Sequence, residues 1–276
     1  MAMKKGLLAC LLLVGVVFAS TPRADVLVLI HGYLSGAQSW DTSGITAVLE
    51  HAGWHRAGVF AASPSGIQLI PSPGQLTRHK VYVVDLPSEA PILIQSYQLR
   101  QILQAINESN PGEPIVLVGH SAGGVVARAA LVRGGAGDVR ALITIASPHL
   151  GTYRAEQALD ATDIPFPFSM ITDMFGGETY DIAKRSRGLF VDLVRPRPGS
   201  FLFWLNNQKH PDLQYYSIVR GEAAVMYGDY IVPGYSQDMN NIPALRGKST
   251  RIVIGTQHGL EMIDGSVIVN VLAEMK

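Results

Sequence analysis

The sequence predicts an α/β fold built on a mostly parallel, doubly wound sheet of about six strands. Three observations carry that expectation. Short continuous apolar runs rich in Val and Ile recur along the chain, segments with helical spacing lie between them, and the alternation lapses once, from Thr152 to about Leu213.

The first run is Val26-Leu27-Val28-Leu29-Ile30, which ends at His31-Gly32. A run that is apolar at every position, not every second one, has both faces buried, as the central strands of a parallel sheet do. Similar runs span 81–84, 115–118, 141–145, 215–219 and 251–254. Between them, residues 92–106 place Leu99, Ile102, Leu103 and Ile106 on one helical face, and Pro111-Gly112 stops the segment. Residues 122–132 and 267–275 also read as helices. Strands alternating with helices imply parallel pairing through right-handed crossovers.

The lapse from 152 to 213 is too long for an ordinary connection and predicts an inserted cap with short helices of its own. It holds two aromatic clusters, Ile164-Pro165-Phe166-Pro167-Phe168 and Phe201-Leu202-Phe203-Trp204-Leu205. These either pack the cap onto the sheet or face a substrate. On the second reading Phe168 and Trp204 are the candidate substrate contacts.

With 276 residues, 47% of them hydrophobic and 16% charged, the chain suits one large domain with a substantial core and does not suit a disordered protein. Lys4 and Lys5 precede the apolar run 6–18, and Val17-Phe18-Ala19 offers the small residues of a cleavage site. Residues 1–19 therefore read as a signal peptide and 20–276 as the exported domain, periplasmic or secreted, with a retained anchor as the alternative. Cys10 is the only cysteine and falls in that leader, so the remaining chain forms no disulfide. Without Lys4 and Lys5, 20 of the 22 basic residues remain against 22 acidic ones. That balance excludes nucleic acid as an expected partner.

Gly119-His120-Ser121-Ala122-Gly123 matches G-x-S-x-G, and it lies between the run 115–118 and the helical segment 122–132. The context matters because a sharp strand-to-helix turn exposes a strained serine, and only small neighbours leave room for it. The helix that follows turns free N–H groups toward any oxyanion formed there. Histidine 258, in Gly255-Thr256-Gln257-His258-Gly259, follows the last predicted strand. Asp229, in Gly228-Asp229-Tyr230-Ile231-Val232-Pro233, lies between that strand and the one before it. The order Ser121, Asp229, His258 suits nucleophile, acid and base. His149 competes for the base, and Glu222, Asp238 and Asp264 compete for the acid.

Together with His31-Gly32-Tyr33 and the run Thr144-Ile145-Ala146-Ser147-Pro148-His149-Leu150-Gly151-Thr152, these motifs resemble bacterial lipases and related lipase-like α/β-hydrolases. The Pro-His-x-Gly-Thr run is also typical of GPI-inositol-deacylase-like enzymes. The resemblance implies the α/β-hydrolase fold, an acyl-ester or lipid substrate, a lipid interface as a candidate partner, and a mobile lid. It also implies an oxyanion hole made by the Tyr33 and Ala122 amides. Many bacterial lipases bind calcium through an aspartate two residues after the histidine. Leu260 stands there, so neither a metal nor an organic cofactor is expected. Ester hydrolysis through an acyl-enzyme on Ser121 is the function expected, with a thioesterase, an amidase or a non-catalytic lipid-binding protein as alternatives. The oligomeric state is not legible.

Overall fold

The computed structural model describes residues 26–63, 65–74, 78–135, 137–163, 177–221 and 229–275. The signal-peptide segment and Phe168 lie outside the described residues, as do Phe166 and Glu222.

The continuous apolar runs form the middle of the sheet, and their alternate residues feed two separate cores. From β1 (Val26–Ile30), Val26, Val28 and Ile30 join one core, while Leu27 and Leu29 join the other. Ile115 and Leu117 are likewise divided from Val116 and Val118 in β5 (Ile115–His120). The other strands are β2 (Trp54–Ser63), β3 (Gly66–Pro71), β4 (His79–Asp85), β6 (Val139–Ile145), β7 (Gln214–Val219) and β8 (Ser249–Val253). Their order is β3-β2-β4-β1-β5-β6-β7-β8, and every neighbouring pair is parallel except β2 with β3.

The sheet therefore has eight strands where the sequence suggested six. The two additions, β2 and β3, lack the continuous apolar signature. A register shift between Arg56 and Gly58 interrupts β2, and β3 is exposed along nearly its whole length at the sheet edge.

Ten α-helices are described. They are α1 (Ser39–Thr42), α2 (Ile45–His51), α3 (Ile92–Ser109), α4 (Ala122–Val132), α5 (Tyr153–Asp163), α6 (Gly177–Arg185), α7 (Arg187–Leu193), α8 (Phe201–Asn206), α9 (Gly234–Gln237) and α10 (Met262–Glu274). In α3, Ile92, Leu99, Ile102, Leu103 and Ile106 are all buried, as the spacing predicts. Helices α3 and α4 cover one face, while α2 and α10 cover the other with Ile45, Leu49, Ile268 and Val271. Helix α10 starts at Met262, ahead of the expected 267, because Glu261 and Asp264 form a reciprocal capping box. Among the described residues, no helix is long and apolar enough to cross a membrane.

Strand β1 lies between β4 and β5, where the winding of the sheet reverses. The crevice beyond the carboxyl ends of strands at such a switch point is where ligands bind in this architecture. Helices α5 to α8 are inserted between β6 and β7. The two ends of this insertion are tied together by a buried cation. Arg128 of α4, fully buried, donates from Nη2 to Asn206 Oδ1 (2.7 Å), from Nε to His210 Nε2 (3.2 Å) and from Nη1 to His149 Nδ1 (3.1 Å). Three neutral acceptors thus share one positive charge.

Burial and this neighbouring cation keep both histidines neutral, lowering His210 to about 4 and His149 well below its ordinary range. A histidine that is harder to protonate in the fold than in the unfolded chain contributes stability above about pH 6.5, and that contribution disappears as pH falls toward the folded value. Asp192, raised to about 6 by burial, works in the opposite direction below that pH. The melting temperature is expected to fall on acidification from pH 6.5 to 4. A His210→Asn variant, although less stable, should show a shallower decline. Equal slopes in the two proteins would contradict the assignment.

Candidate active site

Ser121 follows β5 directly and opens α4, at φ 51° and ψ −127°. A side chain in this region costs about 1–3 kcal/mol and persists only where the surroundings enforce it. Here the enforcement is steric. A Cβ on Gly119 would meet Gly124 Cα at 2.5 Å, a Cβ on Gly123 would run into the carbonyls of His31 and Ile30, and a Cβ on Gly124 would strike Ser147 Oγ. The Thr144 to Thr152 run therefore has a structural task, since its Ser147 lies directly under the turn. Two further non-glycine residues have positive φ among those described, Leu34 and Ala146, and both sit just past the ends of neighbouring strands.

His258 Nε2 lies 2.9 Å from Ser121 Oγ, and His258 Nδ1 lies 2.9 Å from Asp229 Oδ2. Asp229 is an acceptor as a carboxylate, so Nδ1 carries the proton and Nε2 presents a lone pair to the serine. The three residues chosen from the sequence thus form one hydrogen-bonded chain. The described competitors are elsewhere. Asp264 pairs with Arg220, Asp238 caps the turn at Asn240, and His149 is sealed into the Arg128 cluster.

Asp229 is buried, and its remaining lone pairs are occupied. Oδ1 accepts from the amides of Ile231 (2.8 Å) and Val232 (2.6 Å), and Oδ2 accepts from Gln237 Nε2 (3.0 Å) as well as from the imidazole. Gln237 is fully buried. Its Oε1 accepts from the Arg220 amide (2.7 Å), and its Nε2 also donates to the Val232 carbonyl (2.7 Å). Arg220 extends the brace to the other loop, since its guanidinium donates to Gly259 O (3.0 Å) and grips both oxygens of Asp264 (2.7 and 2.6 Å). Sequence reading missed Gln237 and Arg220. The one available signal was a charged residue directly after the apolar strand 215–219.

The turn after β1 lies against the serine, for a Cβ on Gly32 would come within 2.9 Å of Ser121 Cβ. His31 fixes this turn. Its Nε2 accepts from the Leu86 amide (3.0 Å), so the proton is on Nδ1 and is donated to Gly32 O (3.0 Å). Gly32 C=O and Tyr33 N–H belong to one planar peptide unit, so holding the carbonyl aims the Tyr33 amide. Ala122, the first residue of α4, has an N–H with no place in the helical ladder.

His120 Nε2 donates to the carbonyl of His258 (2.8 Å), tying the histidine loop to the turn that carries the serine. Burial drives this imidazole down to about 3, so it stays neutral.

Trp204 is not brought to this site. Its ring packs at a tilt against Phe201 and under the guanidinium of Arg133, the residue at the far end of α4, about three turns from Ser121. Within the insertion, Phe190 of α7 meets the Tyr33 ring edge-on at 5.3 Å.

The fold is that of the α/β-hydrolases, and it is similar to that of lipase-like members. A family profile described as a PGAP1-like alpha/beta domain matches residues 89–162, the stretch carrying α3, β5, the serine turn and β6. Among solved structures, a gene product of Listeria innocua superposes with a TM-score of 0.61 at 14% identity, covering 90% of this chain and 92% of that one. The mature lipase BlEst2 of Bacillus licheniformis gives 0.55 at 16% identity, covering 92% of each chain. A protein of Lactobacillus plantarum described as a cell surface hydrolase gives 0.54 at 17%, covering 91% of each. These likenesses show the fold. No curated protein matches the chain.

The brace makes a specific expectation. Gln237→Leu removes a buried donor from an ionised acceptor, a loss of ~1.5–3 kcal/mol. It should lower kcat for a simple p-nitrophenyl ester by about 10- to 100-fold, with KM little changed and the melting temperature measured alongside. An unaltered kcat in the folded variant would show that Asp229 does not need this clamp.

Proposed function

We propose that the protein hydrolyses carboxylic esters through an acyl-enzyme on Ser121. The observation that carries this reading is the chain from Ser121 through His258 to Asp229, with both contacts at 2.9 Å, on a serine held in a strained turn. In the first step His258 Nε2 takes the Ser121 proton as Oγ attacks the ester carbonyl. The amides of Tyr33 and Ala122 receive the negative charge of the tetrahedral oxygen. The carbonyl re-forms, the bond to the alcohol breaks, and His258 returns its proton to the leaving oxygen. In the second step water attacks the acyl group, His258 takes its proton, and Ser121 leaves with it. Asp229 holds the imidazole in the required tautomer and offsets its positive charge. The mechanism draws on side chains and backbone amides of this chain alone.

The insertion from 152 to 213 serves as the cap in this reading. Phe190 over Tyr33 supports an acyl-side wall formed by α7. Beside Asp229, Tyr230 is 93% exposed, and Ile231, Tyr153 and Tyr235 are exposed near it. Arg154 Nε donates to the Tyr230 carbonyl (3.2 Å). An apolar rim of this kind beside the reacting groups supports contact with an acyl chain or a lipid surface. The leader-like residues 1–19 and the likeness to a protein described as a cell surface hydrolase support export.

Ser121→Ala tests the reading. It deletes the nucleophile and almost no packing, so purified and folded variant should lose on the order of 10⁴-fold or more in turnover of p-nitrophenyl esters. Turnover near that of the unmodified protein would overturn the assignment.

A further inference from the structure

Strand β3 ends the sheet, and among the described residues no strand pairs with its outer edge. Five of its six residues are exposed, Leu69 by 40% and Ile70 by 60%. The ladder to β2 decides which backbone groups face outward. Gly58 lies opposite Pro71, and the Ser72 amide donates to Ala57 O (3.0 Å). Antiparallel pairing alternates inward and outward residues, so Gly66, Gln68 and Ile70 turn their amides and carbonyls toward β2. Ile67 and Leu69 turn theirs away. Pro71 also faces outward, and it has no N–H to leave unpaired.

An open edge of this kind is a template for another strand, and sheets defend such edges with charges. The opposite edge is defended in this way, since β8 carries Arg251 and follows Arg246 and Lys248. Residues 57–77 contain no Asp, Glu, Lys, Arg or His, although the chain average of 16% charged would place about three charges there. The absence of charge bears on the occupant. A membrane does not suit this edge, because outward N–H and C=O groups would enter hydrocarbon unpaired. A strand of another protein can be matched by opposite charges. A strand that meets its own copy across a two-fold axis sets every charge against its like, so only a charge-free one pairs without repulsion.

We propose that β3 pairs antiparallel with β3 of a second copy of this chain, joining the two eight-stranded sheets edge to edge. One register satisfies the outward groups. Centred on Gln68, it places Ile67 opposite Leu69 of the second copy and Leu69 opposite Ile67 of that copy, so the N–H and C=O groups of both residues are paired. A register centred on Leu69 would set Ile67 against Pro71, which has no N–H to give. A register centred on Ile67 would call on Ser65, whose N–H already donates to Ser63 Oγ (3.2 Å). Ile67 and Leu69 share one face, so four apolar side chains from the two copies lie side by side. On the axis the two Gln68 residues oppose each other as a non-hydrogen-bonded pair, with Cα atoms about 4.5 Å apart.

Sedimentation velocity from about 5 to 300 µM tests the proposal, a range suited to the weak association expected of a small interface. The unmodified protein should pass from monomer to dimer as concentration rises. Gln68 is exposed and its side chain donates to Ser65 Oγ (2.8 Å) at the surface, so Gln68→Glu and Gln68→Lys disturb the folded chain little while placing like charges on the axis. Each variant alone should dimerise about fivefold more weakly. An equimolar mixture of the two should recover the affinity of the unmodified protein or exceed it. A monomer throughout the range, variants that dimerise as before, or a mixture that associates no better than either variant overturns the proposal.

Hydrogen exchange locates the contact. The amides of Ile67 and Leu69 should exchange more slowly as concentration rises, while those of Gln68 and Ile70, which already face β2, change little. Protection that grows elsewhere and not at Ile67 and Leu69 overturns the proposal. Neither measurement depends on ester hydrolysis, so this inference and the catalytic reading fail separately.

Discussion

Ser121 at φ 51° and ψ −127° is the point on which the rest of the site depends, and it can be held there only because the backbone around it is bare. Gly119, Gly123 and Gly124 let β5, α4 and the turn after β1 approach more closely than any side chain would allow. That closeness has two chemical consequences. The start of α4 and the Tyr33 peptide come together on one side of Oγ, and the histidine loop reaches it from the other. The strain of ~1–3 kcal/mol is met by the largely buried strands on either side. A more relaxed serine would give up the position and gain little stability.

His258 and Asp229 come from two loops with no secondary structure of their own at these residues. Their precision comes from buried polar groups behind them. Arg220 touches both loops, through its amide to Gln237 and through its guanidinium to Gly259 and Asp264. The Arg220 and Asp264 side chains are both fully buried, so removing either partner would strand a charge at a cost of ~3–5 kcal/mol. His120 provides a third tether to the His258 carbonyl. Neutral histidines recur in this scheme, since His31 serves as a fixed donor and acceptor and His120 as a fixed donor, and burial holds each below its ordinary range.

Much of this was legible in the sequence where the physics is local. A strand buried on both faces must be apolar throughout, so β1, β5 and β6 announced themselves, and a serine between a strand and a helix with small neighbours could be read as a strained turn. Strand β2 was hidden by its bulge between Arg56 and Gly58, and β3 by exposure that leaves no apolar face to detect. His258 and Asp229 could be chosen by their order after the serine and their place between strands. Gln237 could not, because its role exists only when β7 and α9 are folded against the Asp229 loop. The aromatic cluster around Trp204 shows the same limit. Composition marked it as apolar, but only the packing of α8 against α4 sets it at the far end from the serine.

The central claim is that Ser121 carries the acyl group between two chemical steps, and pre-steady-state hydrolysis of a p-nitrophenyl ester tests it most directly. The account predicts a burst of p-nitrophenol approaching one equivalent per chain, with the acyl mass found on the peptide containing Ser121 after acid quenching. Steady turnover without any covalent adduct, or an acyl group mapped to another residue, would contradict it.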